Sequence, residues 1–238
     1  MTDTFLDGRV KVAQPQSGFR SGLDAVMLAA AVPAAPGQTV LELGAGSGVA
    51  SLCLMARISG LNVTGVERDE KLAALAEDNA RANGFDCTFF AADIFALPKD
   101  LKRDFDQVLA NPPFHGEGQA SPDAARAAAL MDDGALSDWL KLGLQRTGSG
   151  GFFTAILRAD RLNQALAALP ERGVCAFPLW PRQGEAPKRV ILQARKGSNA
   201  PFALLPGLVL HQEDGAWTPE ADAVLRRGNA LALSGARL

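Results

Sequence analysis

Four short stretches hold the residues whose types and spacing can do chemistry. They are Glu42, Gly44, Gly46 and Gly48 in LELGAGSGVA, Glu67 and Arg68 in GVERD, Asp93 and Ile94 in AADIF, and Asn111-Pro112-Pro113-Phe114 in VLANPPF. Each stretch closes an apolar run. Glycines after a strand let a ligand approach the backbone closely. A dinucleotide fingerprint needs another small residue at position 49, where Val49 stands, and Glu42 would repel a pyrophosphate. The loop also lacks the Gly-Lys-Ser/Thr ending of a P-loop. A cationic ligand would tolerate Glu42. Glu67 can accept hydrogen bonds from both hydroxyls of a ribose. Asp93 can accept from an adenine amino group, with Ile94 and Phe95 flanking the ring. Three acids after three successive strands would face one crevice, which fits a positively charged nucleoside without phosphate. S-adenosylmethionine meets that description, with S-adenosylhomocysteine as its product.

The fourth stretch adds an acceptor cradle. Proline fixes φ and restricts the residue before it, so two in a row hold Asn111 and Phe114 in one geometry. A stiff strand-ending turn is the plainest explanation of the pair. The neighbouring acids favour another. The Asn111 side-chain oxygen and the Pro112 carbonyl can accept the N–H bonds of a planar amine and turn its lone pair towards a methyl donor, and orientation supplies much of such catalysis. Phe114 offers a face on which a planar base can stack.

These stretches must be positioned by regular elements, and the pattern from residue 39 onward supplies them. TVLELG, NVTGVE, CTFFAADI and FDQVLANPP read as buried strands. SGVASLCLMARISG and RDEKLAALAEDNARANG read as helices, the second stopped by Asn83-Gly84. GALSDWLKLGLQRTG and ADRLNQALAALPERG are further helices around the strand GGFFTAILR. The alternation predicts a mostly parallel sheet covered on both faces. VCAFPLW and KRVILQARKG are joined by a connection too short for a crossover, which predicts an antiparallel hairpin. One domain over residues 1–238 is expected, with an N-terminal cap segment 1–38, a core 39–197 and a C-terminal extension 198–238. The cap contains the apolar helix SGLDAVMLAAAVP, and the extension a hairpin and an exposed terminal helix. Residues 115–132 have the composition of a lid loop.

Bulk composition narrows the setting. The chain has 238 residues, 47% hydrophobic and 21% charged, with no apolar run of membrane-spanning length. Cys53, Cys87 and Cys175 match no metal spacing, and an odd count without a secretion signal points to reduced thiols in a cytoplasmic protein. A formal net charge of −2 gives no overall attraction for nucleic acid, so any such partner needs a local basic patch. Arg182, Lys188, Arg189, Arg195 and Lys196 form the best cluster, and Arg9, Lys11 and Arg20 a second. A solvated charged face is the competing reading of both. His115 and His211 are read as bystanders, because an amine that is being methylated needs no strong base. Trp139 is read as helix packing.

LELGAGSG, GVERD, AADIF and NPPF resemble the motifs of class I, Rossmann-like methyltransferases that modify planar NH2 groups. With SGLDAVMLAAAVP before them, and RVILQARKG and LLPGLVLHQEDGAWTPEADAVLRRG after them, the chain is similar to the bacterial valine-tRNA adenine-N6 methyltransferases. The resemblance implies an α/β Rossmann-like class I fold: a mostly parallel seven-stranded sheet, an antiparallel last strand and helices on both faces. It also implies S-adenosylmethionine as cofactor and tRNA as substrate. Asn111, Pro112, Pro113 and Phe114 take the catalytic positions. Asp24, Glu42, Gly44, Gly46, Glu67 and Asp93 match the family's cofactor positions. The reading of the residues themselves adds Gly48, Arg68, Ile94 and Asn111 at the cofactor, Phe114 at the substrate, and Arg182 and Lys188 of the basic cluster as RNA contacts. Leu23 stands where many relatives have Thr, and Phe114 where Tyr is commoner. The alternatives are a release-factor type glutamine N5-methyltransferase, which usually carries a helical N-terminal domain, and a non-catalytic RNA-binding protein of the same fold.

Overall fold

The computed structural model describes residues 2–16, 20–113, 136–231 and 233. An N-terminal hairpin comes first, β1 (Thr2–Phe5) and β2 (Val10–Ala13), followed by α1 (Leu23–Ala31). The alternating core then runs β3 (Thr39–Leu43), α2 (Val49–Arg57), β4 (Asn62–Glu67), α3 (Glu70–Ala82), β5 (Thr88–Ala91) and β6 (Phe105–Ala110). After α4, helical over residues 136–146, come β7 (Thr147–Arg158), α5 (Leu162–Ala168), β8 (Val174–Trp180) and β9 (Arg189–Arg195). The short β10 (Ala203–Leu204), β11 (Leu208–Val209) and α6 (Pro219–Leu225) complete the described elements.

The main sheet has the order β10-β8-β9-β7-β6-β3-β4-β5, with β11 also on β8. Strands β5, β4, β3, β6 and β7 are mutually parallel, and β9 lies antiparallel between β7 and β8. Seven strands thus form the expected sheet with its antiparallel last member. Two additions lengthen it to nine.

Side-chain alternation builds a separate core on each face. Leu109, Ile156 and Ile191 pack with α1, α2 and α3 on one side. Their neighbours Val108, Ala110, Ala155, Leu157, Val190 and Leu192 pack on the other, with Leu136 and Leu140 of α4 and Ala165 of α5. Glu42 falls on the α2 face of β3, where an apolar residue would normally sit. That one position sets up the site.

Both ends of the chain differ from expectation. The N-terminal cap holds a hairpin as well as the expected helix. Its turn places Leu6, Asp7 and Gly8 at φ of 51°, 57° and 82°, conformations that Leu rarely adopts. Asn79 of α3 and Asn83, the cap that ends it, hold β2 as a neighbouring strand would. Asn79 accepts from the Ala13 N–H and donates to its carbonyl, and Asn83 does the same for Lys11. At the other end, β10 and β11 do not pair with each other. Each lies parallel along the free edge of β8. The terminal helix α6 is seated rather than exposed, with Ala221 and Val224 buried.

Candidate active site

Parallel registers bring the carboxyl ends of β3, β4, β5 and β6 to one edge of the sheet. There they surround a cavity of about 510 Å³, within the range of roughly 300–1,000 Å³ usual for small-molecule sites. Its walls include Glu42, Gly44, Gly46, Glu67, Arg68, Asp93, Ile94, Phe95, Asn111, Pro112 and Pro113. Residues singled out from four separate stretches therefore share one wall.

The glycine loop is pinned from both sides. The N–H groups of Gly44 and Ala45 donate to the Val66 carbonyl, and Gly44, Gly46 and Gly48 have φ of 68°, 55° and 85°. These are left-handed conformations that glycine alone adopts without strain. One oxygen of Glu67 accepts from the Gly46 N–H and the other from the Asp69 N–H. The carboxylate is thereby held in place with lone pairs still available to a ligand. Asp93 accepts from the Phe95 N–H at 2.9 Å, which sets the turn carrying Ile94 and Phe95.

Glu42 is buried, and one of its oxygens accepts from both the main-chain N–H and the hydroxyl of Ser51. Burial pushes its carboxyl up to about 7, and the nearby Glu67 charge adds to the rise against the two Ser51 bonds. A buried carboxyl with Glu67 on the same cavity is favoured in its charged form by a positive partner.

Asn111 ends β6 at the same cavity. Its side-chain oxygen is buried and accepts no hydrogen bond among the described residues. Leaving a buried acceptor unmet costs about 1–3 kcal/mol, and such an atom in a cavity wall asks for a donor from a ligand. Pro112, beside it, is buried and Pro113 is exposed.

Several expected residues lie elsewhere. Asp24 is not in the cavity wall; its carboxylate accepts from Arg189 Nε at 2.8 Å, tying α1 to the start of β9. Ser21 and Ala25, on either side of it in sequence, line the cavity instead. Gly48 is the N-cap of α2, where a Cβ would lie 3.1 Å from the Phe89 ring and 3.3 Å from Ala76, so its job is close packing. Phe114, His115 and the expected lid 115–132 fall outside the described residues. Trp139, read as helix packing, lines the cavity. Its place in an apolar helix, between the buried Leu136 and Leu140, gave no hint of that.

The five-residue basic cluster divides in two. Arg189 pairs with Arg158 and Leu179 at the carboxyl edge of the sheet, whereas Arg195 pairs with Phe152 at the opposite edge. A seven-residue strand puts about 20 Å between them. Arg182 and Lys188 stay on the cavity's edge, and Arg195 and Lys196 do not. Two of the second cluster's three cations are engaged internally: Arg9 donates to the Leu6 and Arg227 carbonyls and Arg20 pairs with Asp3. His211 stacks on Trp217, with ring centroids 4.2 Å apart, and its Nδ1 lies 3.0 Å from the Gly215 carbonyl. Burial pushes the Cys53 and Cys87 thiols up to about 12 and that of Cys175 up to about 11. Among the described residues no group of His, Cys, Asp or Glu is placed to hold a metal, and no helix is long and apolar enough to cross a membrane.

With this geometry in place, comparison with known proteins is informative. Residues 21–136 match the methyltransferase small domain. A protein of Klebsiella pneumoniae named tRNA1(Val) (adenine(37)-N6)-methyltransferase is 31% identical over 159 residues, which is 64% of each chain and so just under two thirds of that relative. One of the same name from Aeromonas salmonicida is 28% identical over 87% of this chain and 89% of its own. Among solved structures, a predicted O-methyltransferase of Agrobacterium tumefaciens superposes with a TM-score of 0.71 at 27% identity, covering 87% of this chain and 98% of that one. The resemblance read from the motifs is borne out: the chain is similar to proteins named as valine-tRNA adenine-N6 methyltransferases, residues 21–136 match the methyltransferase small domain, and the fold is that of a class I methyltransferase.

Proposed function

We propose that the protein is an S-adenosylmethionine-dependent methyltransferase acting on the exocyclic amine of adenine in tRNA, in the cytoplasm. The observation that carries the reading is the side-chain oxygen of Asn111, buried and without a donor among the described residues, in the wall of a cavity also lined by Glu42, Glu67 and Asp93. An acceptor in want of a donor fits an amine. An acidic lining fits a cation, and Glu67 and Asp93 fit the ribose and adenine of the cofactor. When bound, S-adenosylmethionine supplies an electrophilic methyl group on a sulfonium.

The chain's own part is placement. Asn111 Oδ1 and the Pro112 carbonyl accept the amine's two N–H bonds, which draws the nitrogen lone pair out of conjugation with the ring. Held by those two acceptors, the nitrogen would keep its lone pair turned towards the methyl group that the cofactor supplies, and the methylated amine would give one proton to solvent. Phe114 is assigned to stacking on the base, which must enter unpaired. Arg182 and Lys188 are assigned to the tRNA backbone, since they lie beyond β9 and β8 on the same edge as Asn111.

The names borne by the relatives support the tRNA adenine assignment. Calorimetry with S-adenosylmethionine, S-adenosylhomocysteine and NAD tests the cofactor: the first two bind in the micromolar range and NAD does not. Tight NAD binding without an S-adenosylhomocysteine signal would sink the reading.

A further inference from the structure

Trp139 stands in α4 between the buried Leu136 and Leu140 but is itself only partly covered. The tip of its indole rests on the first glycine of the loop. A Cβ at Gly44 would lie 2.5 Å from Cη2 and 3.1 Å from Cζ3, so any larger residue there collides with the ring. A ring met at its tip turns its faces sideways. The Phe95 ring stands perpendicular to it, with centroids 6.5 Å apart. Trp139 lines the same cavity as Glu42, Gly44 and Asn111. The other two tryptophans have different work: Trp180 donates to the Pro206 carbonyl, and Trp217 stacks on His211.

We propose that Trp139 is the wall that recognises the positive charge of the cofactor's sulfonium, through the face of its indole, and so separates S-adenosylmethionine from its neutral product. This rests on the cofactor reading above. Position supports it: Trp139 touches the glycine loop and shares the cavity with Asn111, where the methyl group must be delivered. Chemistry supports it as well. A carboxylate held against the methyl-bearing sulfur would offer a lone pair for methylation, whereas an aromatic face attracts a cation by its quadrupole and offers none. Once the methyl has gone the sulfur is an uncharged thioether, and the contact loses its electrostatic part. Product is then held less tightly than cofactor.

The test is calorimetric titration of the wild type, Trp139→Phe and Trp139→Leu with S-adenosylmethionine and, separately, S-adenosylhomocysteine. Trp139→Leu weakens S-adenosylmethionine roughly tenfold, the scale of a partly desolvated cation–π contact. S-adenosylhomocysteine weakens by no more than about threefold, and Trp139→Phe falls between wild type and Trp139→Leu. Equal losses for both ligands would reduce Trp139 to packing and overturn the proposal, as would no loss for either. A wild type that binds neither ligand would overturn the cofactor reading itself, a result plainly different from equal losses in the variants.

Discussion

The two edges of the sheet each carry a hollow, and they teach different things. The carboxyl-edge cavity is about 510 Å³. A hollow of about 450 Å³ at the opposite edge is lined by Arg172, Arg195, Lys196 and Ser198. Volume does not distinguish them, and the amino-edge hollow is the richer in cations. What differs is the state of the polar groups. At the amino edge the cations donate to main-chain carbonyls: Arg172 to Asn199, Arg195 to Gly150, and Lys196 to Gln145 and Thr147. At the carboxyl edge Asn111 Oδ1 accepts no hydrogen bond among the described residues, and Glu42 and Glu67 line the same cavity. Unmet demand marks a site only where a cavity gives a ligand access: Arg57 Nε, Gln107 Oε1 and Arg146 Nε are also buried without a partner among the described residues, but none of them lines either hollow.

The largest effect that would break this comparison is at Asn111. Asn111→Ala removes one acceptor from the amine and cuts turnover by roughly 10²–10³, the scale of losing one preorganised polar group. Cofactor affinity changes by less than about twofold. Substituting Arg172→Gln at the other edge leaves turnover as it was. Single-turnover kinetics on the two variants decides the matter, and an Asn111→Ala enzyme at wild-type rate contradicts the cradle.

Glu42 comes next, with its sign set by burial. Its folded carboxyl sits near 7, above the ordinary 4.5, so between those values the folded protein holds a proton that the unfolded chain has lost. Stability of the free protein therefore falls as pH rises through that window, and Glu42→Gln escapes the loss. Thermal melts at pH 8 should show the variant several degrees more stable. S-adenosylmethionine should bind it about tenfold more weakly, and wild-type affinity should decline as pH drops through 7. A variant that is both less stable and equally tight would reject a charged role for Glu42.

A smaller effect sharpens the division of the basic cluster. Reversing the charges of Arg182 and Lys188 should weaken tRNA binding several-fold and flatten its salt dependence, because phosphate contacts release counterions. Reversing Arg195 and Lys196 should do neither. Filter binding across a salt series separates the two pairs; equal effects would mean that tRNA reaches both edges.

These five cations also show how far the sequence could be read. They look like one patch because they are close in the chain, and the length of β9 sends them to opposite edges. The glycine loop was legible for the opposite reason: left-handed φ at Gly44, Gly46 and Gly48 is a local demand that leaves a local trace. Glu42 was legible because a carboxylate inside an apolar strand breaks the pattern. Trp139 was not, since a tryptophan in an apolar helix face looks the same whether it meets the core or a cavity. The N-terminal hairpin was hidden twice over. Its turn uses Leu6 at positive φ, and its partner is a pair of asparagines, one of which had been read only as a helix stop.

The smallest effect tests that last arrangement. Asn83→Ala removes the bonds to the Lys11 main chain at the protein surface and should cost about 1 kcal/mol, a fall of a few degrees in melting temperature with turnover unchanged. Hydrogen exchange confined to residues 10–13 would locate the loss; an undisturbed hairpin would leave the asparagine clamp without a role.

The most direct test of the central claim is mass spectrometry of nucleosides from unmodified tRNA incubated with the protein and S-adenosylmethionine. The account predicts that N6-methyladenosine appears with the wild type and is lost with Asn111→Ala. Methylation of a glutamine-bearing protein with none on tRNA, or an Asn111→Ala protein that still forms N6-methyladenosine at the wild-type rate, would contradict it.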